Sequence, residues 1–233
     1  MLSFNFGGKN SFTDYGILIT KRPSIPSPKR RISNVVVPGR NSSLRFDENT
    51  YEDITITVEC SLKEGSLPNK IDDVKGWLIG TGESNLIFDF QTDRKYVAQV
   101  VNAIDFTQAY KYFSKFVIVF NCQPFKYAVN NSSINFITSG KLTNPGTIYS
   151  EPIIKVVGNG DITLNIQAQT VKFKGLTDHI ILDSLQQNAY NQNGENLNSK
   201  VTGEFPVLSV GDNSISWSGN VSKVEITPNW RWL

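Results

Sequence analysis

Apolar and polar residues alternate with a period of two along most of the chain. Leu2, Phe4 and Phe6 occupy every second position, as do Ile54, Ile56 and Val58, then Phe116, Ile118 and Phe120, then Ile162, Leu164 and Ile166, and finally Ile215 with Trp217. Successive side chains of a strand point to opposite faces, so each run reads as a half-buried antiparallel strand. One segment, "NKIDDVKGWLIG" at 69–80, has a helical period instead. Ile71, Val74 and Leu78 share a face, Asn69 is placed to cap, Asp72 and Asp73 suit the first turn, and Gly80 suits the stop. The pattern therefore predicts a mainly β protein with one short helix.

Turn chemistry divides the strands. Asn-Gly and Gly-Asn pairs accept positive φ, which predicts turns at Gly158-Asn159-Gly160 and within "NQNGEN". At "KYAVNNS", residues 126–132, the alternation is interrupted. Residues 1–125 carry fifteen basic and thirteen acidic side chains, whereas 126–233 carry eight of each and are richer in Asn, Ser, Thr and Gly. That shift predicts two domains, 1–125 and 126–233, joined without a long linker. The second reads as a β-sandwich of short strands at 133–137, 152–157, 161–167, 170–174, 179–183, 205–208, 213–217 and 221–227.

Composition narrows the function classes. With 233 residues, 39% hydrophobic and 19% charged, the chain is ordinary for a folded protein, and a net charge of +2 does not call for nucleic acid or a membrane as partner. No apolar run approaches a membrane span, and "MLSFNFGGKN" lacks the basic start and apolar core of a signal peptide, so synthesis in a cytoplasm is expected. Cys60 and Cys122 each close an alternating run and are expected as buried, reduced thiols. The single histidine, His179, opens an apolar strand and is expected to be structural. No nucleophile elbow, P-loop or Cys-x-x-Cys motif is present, and no cofactor or metal site is predicted. Neighbouring Glu52 and Asp53 would point to opposite faces of a strand, and Asp178 and Asp183 flank one, so neither pair is set for hydrolysis. Trp217, Trp230 and Trp232 invite sugar stacking, but core packing is the expected role, with Arg231 on the face opposite the last two.

The segment "KRPSIPSPKRRISNVVVPGR", 21–40, is the exception to this ordinary picture. Pro23, Pro26 and Pro28 fix φ and remove donors, so residues 21–31 are expected as an extended arm that leaves a sheet at Lys21 and rejoins it near Arg31. Lys21, Arg22, Lys29, Arg30, Arg31, Arg40 and Arg45 come without an acid, and Asp47, Glu48, Glu52, Asp53 and Glu59 follow without a base. A solvated loop, a nucleic-acid patch and a subunit contact are the available readings. The arm lacks aromatic residues for base stacking, and the acidic block would repel phosphates. Oppositely charged blocks on one chain suit a head-to-tail ring, with Lys29, Arg30, Arg31 and Arg40 of one subunit meeting Glu52 and Asp53 of the next.

The stretch "DYGILITKRPSIPSPKRRISNVVVPGRNSSLRFDENTYEDITITVEC" resembles the N-terminal signature of distal tail proteins from long, non-contractile-tailed phages of Gram-positive bacteria. The words in common are an aromatic-Gly-Ile run, a Pro-rich basic arm, a "VPGR" turn and a "YEDI" strand. The ending "GEFPVLSVGDNSISWSGNVSKVEITPNWRWL" is similar to that family's closing segment, while residues 80–175 match only in the order of elements. The resemblance implies a non-enzymatic virion protein at the tail tip, forming a homohexameric ring that joins the tail tube protein to tail-associated and receptor-binding components. It implies a tail-tube-like first domain and a galectin-like sandwich as docking platform. Longer relatives carry insertions in the second domain for which this chain has little room, which weighs against a direct receptor role. The alternative is a carbohydrate-binding tail-tip module that contacts the host wall itself.

Overall fold

Alternation becomes burial in the first strand: Phe4 and Phe6 are fully buried and Asn5 between them is exposed. The structure, a computed structural model describing residues 2–63, 67–110 and 113–233, extends this rule through two compact units, Met1–Val129 with Leu233, and Asn130–Trp232. It is mainly β, with one α-helix among the described residues. The division falls within the interrupted stretch 126–132, a little after the expected boundary between 125 and 126.

The first unit contains β1 (Phe4–Phe6), β2 (Lys9–Asn10), β3 (Ile17–Ile19), β4 (Arg30–Val35), β5 (Leu44–Tyr51), β6 (Ile54–Lys63), α1 (Leu67–Gly80), β7 (Ser84–Phe88), β8 (Arg94–Val100), β9 (Thr107–Tyr110), β10 (Phe113–Cys122) and β11 (Lys126–Ala128). Its sheet runs β2-β1-β7-β8-β10-β6-β3, with β9 beside β10 and β11 beside β8. The β6–β10 ladder is unbroken from Ile54↔Cys122 to Lys63↔Phe113. Ile54, Ile56, Val58, Phe116, Ile118 and Phe120 all enter the core from it. Each buried side chain of this size contributes about 1.5–3 kcal/mol.

Helix α1 closes the core with Val74, Trp77 and Leu78. Trp77 stacks on Tyr15 at 4.3 Å between ring centroids and donates from Nε1 to the Phe6 carbonyl at 3.1 Å. The helix begins at Leu67, ahead of Asn69, and its first turn holds no acid. The expected cap and first-turn aspartates are therefore displaced into the body of the helix, and the Asn69 side chain lies outside the described residues.

The second unit contains β12 (Ile134–Phe136), β13 (Gly140–Asn144), β14 (Ile153–Ile166), β15 (Gln169–Leu176), β16 (His179–Asp183), β17 (Asn188–Tyr190), β18 (Val201–Thr202), β19 (Gly211–Thr227) and β20 (Arg231–Trp232). Its sheet runs β12-β19-β14-β15-β18, with β13 also on β19 and β16-β17 on β14. Two predicted breaks are absent. No turn forms at Gly158-Asn159-Gly160, and the strands expected at 213–217 and 221–227 are one. Instead β14 and β19 run through as a long pair whose register shifts at Val157/Gly158 and again between Asn159 and Thr163. Glycine is required at this bend: a Cβ at Gly158 would collide with the Asn220 carbonyl, and one at Gly219, at φ +100°, would meet that of Asp161 at 2.5 Å. The residues that signal a turn also permit a bulge, so local sequence does not separate the two.

The segment 205–208 is likewise not a strand; only Leu208 bridges, exchanging two 2.9 Å bonds with Ser150. Strands β13, β17 and β18 had no counterpart in the expectation. The "NQNGEN" turn does form, with Asn191 Oδ1 accepting from the amides of Asn193 and Glu195 at 3.0 Å each.

Candidate functional site

The chain leaves the first sheet after Ile19 and returns at Ile54, far beyond Arg31, so the excursion is longer than the sequence suggested. Its first part lies on its own unit. Ile25 packs against the core, and the Arg22 guanidinium sits 4.2 Å over the Phe90 ring. The second part does not: β4 and β5 pair only with each other, every residue of β4 is exposed, and β5 is exposed up to Tyr51.

This ribbon has two unlike faces. Opposed residues share a face, and the register pairs Ser33 with Phe46 and Val35 with Leu44, then Ile32 with Asp47 and Asn34 with Arg45. Val35, Leu44 and Phe46 thus form an apolar strip on one side, with Phe46 67% exposed, and Ile32, 46% exposed, stands with Asn34, Arg45 and Asp47 on the other. Beyond the strands, Val36 is 80% exposed. The Arg40 amide donates to the Val37 carbonyl at 3.1 Å, closing a turn with Pro38 first and Gly39 at φ +81° second, the positions that proline and glycine favour. A two-stranded hairpin is marginal alone in water, and a row of large apolar side chains on it is a surface built to be covered.

The root is braced by charge. Arg30 Nε lies 2.8 and 2.7 Å from the two Asp47 carboxylate oxygens and Arg30 Nη2 donates to Asn49 Oδ1 at 2.5 Å. The hydrogen bond from Arg30, helped by the Asn49 amide, holds the Asp47 carboxyl below its ordinary value, and Arg30 is raised in turn. Lys29 Nζ lies 3.4 Å from Glu52, whose amide donates back to the Lys29 carbonyl at 2.8 Å. Tyr51 meets Phe125 edge to face at 5.5 Å.

The six residues expected at a charged contact are therefore divided. Lys29 and Arg30 have acidic partners in their own chain. Glu52 and Asp53 lie in the break between β5 and β6 rather than within a strand, and Asp53 accepts from Asn121 at 3.1 Å. Arg31 and Arg40 are exposed on the ribbon and at its turn. The apolar strip was missed. Alternation alone does not say whether an apolar face meets its own core.

The remaining chemical candidates are quiet. Cys60 and Cys122 are free, and burial pushes both thiols up to about 12. His179 Nδ1 lies 2.6 Å from Asp178 Oδ2, while Asp183 accepts from the Gln186 amide in a turn. Trp217 and Trp230 pack against the second core, and Trp232 Nε1 donates to the Pro145 carbonyl at 3.2 Å. Arg231 is itself buried, donating to the Tyr149 carbonyl and to Glu151 at 2.6 and 2.7 Å. Among the described residues no cluster of His, Cys, Asp or Glu could hold a metal, and no helix is long and apolar enough to cross a membrane.

No family model and no curated protein matches the sequence. The fold does match a solved structure, the SPP1 Dit (gp 19.1) protein, described as a paradigm of the hub adsorption apparatus in phages that infect Gram-positive bacteria. The match has a TM-score of 0.78 at 14% identity and covers 100% of both chains. The chain therefore shares the fold of a phage distal tail protein along its whole length.

Proposed function

We propose that this chain is a non-enzymatic structural subunit of a phage tail. It forms a homohexameric ring at the distal end of the tail tube, through which DNA passes, and the ring is the hub on which the tip assembles for host adsorption. The observation that carries the reading is the exposed apolar ribbon β4–β5, rooted in a fold shared from end to end with a hub adsorption protein. A ring subunit needs a surface that is incomplete alone and complete in the assembly, and this ribbon supplies one.

The clasp works through the strip Val35, Leu44 and Phe46. The pairs at Lys29–Glu52 and Arg30–Asp47 aim the ribbon, and Arg31 and Arg40 supply charge at its exposed side and turn. The Asn130–Trp232 unit is the docking platform for tail-associated and receptor-binding components, and the ring also meets the tail tube protein. Native mass spectrometry of the full-length chain tests the reading: a hexamer is expected, and a monomer at all accessible concentrations overturns it. The triple variant Val35→Ser, Leu44→Ser and Phe46→Ser should remain folded and become monomeric.

A further inference from the structure

We infer that the ribbon of one copy is received on a second copy at the outward sheet face around Val101 and Val117, where a cleft of about 400 Å³ opens beside β6 and β10. This rests on the clasp reading above and names the surface that completes it.

The receiving surface follows from register. Val100, opposite Phe120, faces the core, so Val101 faces outward. Its amide donates to the Val119 carbonyl at 3.0 Å, which sets Val101 diagonal to Val117 on the same outward face. Val101 and Val117 are 59% and 41% exposed, and Ala103 beside them is exposed as well. Across the ladder Val117 stands opposite Glu59, and Asp105 lines the same cleft. The wall is held in place by Asn102, whose Nδ2 donates to the Val117 carbonyl at 3.0 Å and whose Oδ1 accepts from the Val119 amide at 2.8 Å.

Ribbon and receiver complement each other. The ribbon presents Val35, Leu44 and Phe46, and Arg31 and Arg40 are exposed and make no ion pair among the described residues. The receiver presents an apolar patch with two acids, Glu59 and Asp105, against one base, Lys115. Apolar contact supplies adhesion, and the opposite charges set which end of the ribbon lies where. The eight residues of β5 span roughly 27 Å, enough to place the tip on a neighbouring molecule.

Chemical cross-linking of the full-length chain tests this. Ser33→Cys lies on the apolar face of the ribbon opposite Phe46, and Thr57→Cys lies opposite Val119 on the outward face, so both keep the proposed contact residues. The native thiols are buried, and the unmutated chain serves as control. A flexible bismaleimide should convert the double variant, and neither single variant, into a ladder of covalently joined subunits. Val101→Asp with Val117→Asp should abolish assembly without lowering the melting temperature. If the double cysteine variant assembles but gives no ladder, or the aspartate variant assembles normally, the receiving site is overturned while the ring reading stands. If the unmutated chain never assembles, the ring reading itself falls.

Discussion

Two strand pairs in this protein share a sequence pattern and differ in fate. The long pair β14–β19 and the ribbon β4–β5 are both antiparallel, and in both an apolar side chain recurs at every second position of a strand, as at Ile162, Leu164 and Ile166 and at Leu44 and Phe46. In the first, Ile154, Val156, Leu164, Val224 and Ile226 are at most 1% exposed, because further strands and the second core cover that face. In the second, the corresponding side chains Val35, Leu44 and Phe46 are 55%, 47% and 67% exposed. A hydrophobic face is thus a demand for a partner, and the partner can come from the same molecule or from another.

The largest test of this contrast is a core truncation. Ile154→Ala should lower stability by about 2–5 kcal/mol, the range for a buried aliphatic residue, and leave assembly of the folded fraction intact. Chemical denaturation with sedimentation separates the two effects. Next comes the bend. Gly219→Ala forces a side chain to φ +100°, where strain alone costs about 1–3 kcal/mol before the clash with the Asp161 carbonyl is added. A loss much below that range would mean that β19 can straighten at the bulge. By contrast Phe46→Ser should change monomer stability by no more than about 0.5 kcal/mol, as for a surface substitution, yet weaken the oligomer. If instead it destabilises the monomer like Ile154→Ala, the ribbon is covered within its own chain and the contrast breaks.

The smallest effect concerns pH at the ribbon root. Asp47 is depressed below its ordinary value of 3.8 by the hydrogen bond from Arg30. Its contribution is therefore complete above the unfolded value and lost as pH falls through the lower folded one. Amide protection in β4 and β5, corrected for the intrinsic exchange rate, should fall only below about pH 4, and Asp47→Asn should remove that acid dependence. Salt should act weakly on the proposed ring as well, because screening touches exposed charges and leaves apolar contacts intact.

Much of the fold was legible residue by residue. The runs at Phe4–Phe6, Ile54–Val58 and Phe116–Phe120 are strands because a period of two presents one apolar face, a property of the backbone that needs no tertiary information. The "NQNGEN" turn was legible because asparagine and glycine accept positive φ, and the turn at Val37–Arg40 was expected from the resemblance. The candidate site was legible only in part. Its location at residues 21–54 announced itself through prolines and unbalanced charge, but the weight placed on Lys29, Arg30, Glu52 and Asp53 fell on groups at the ribbon's own root, the first two of them paired with acids of their own chain.

The sequence by itself determined which segments extend, which face of each is apolar and where the chain departs from its sheet, because these depend on neighbours within a few residues. The tertiary structure alone decided three further matters. It made Gly158-Asn159-Gly160 a bulge, because Val221 and Asn220 of a distant segment pair with Gly158 and Asn159. It joined Arg30 to Asp47, because folding of the ribbon brings together charges that the sequence separates. It left Val35, Leu44 and Phe46 in solvent while burying Ile154 and Leu164, because coverage depends on which other surfaces the chain can bring to a face, and alternation carries no record of that.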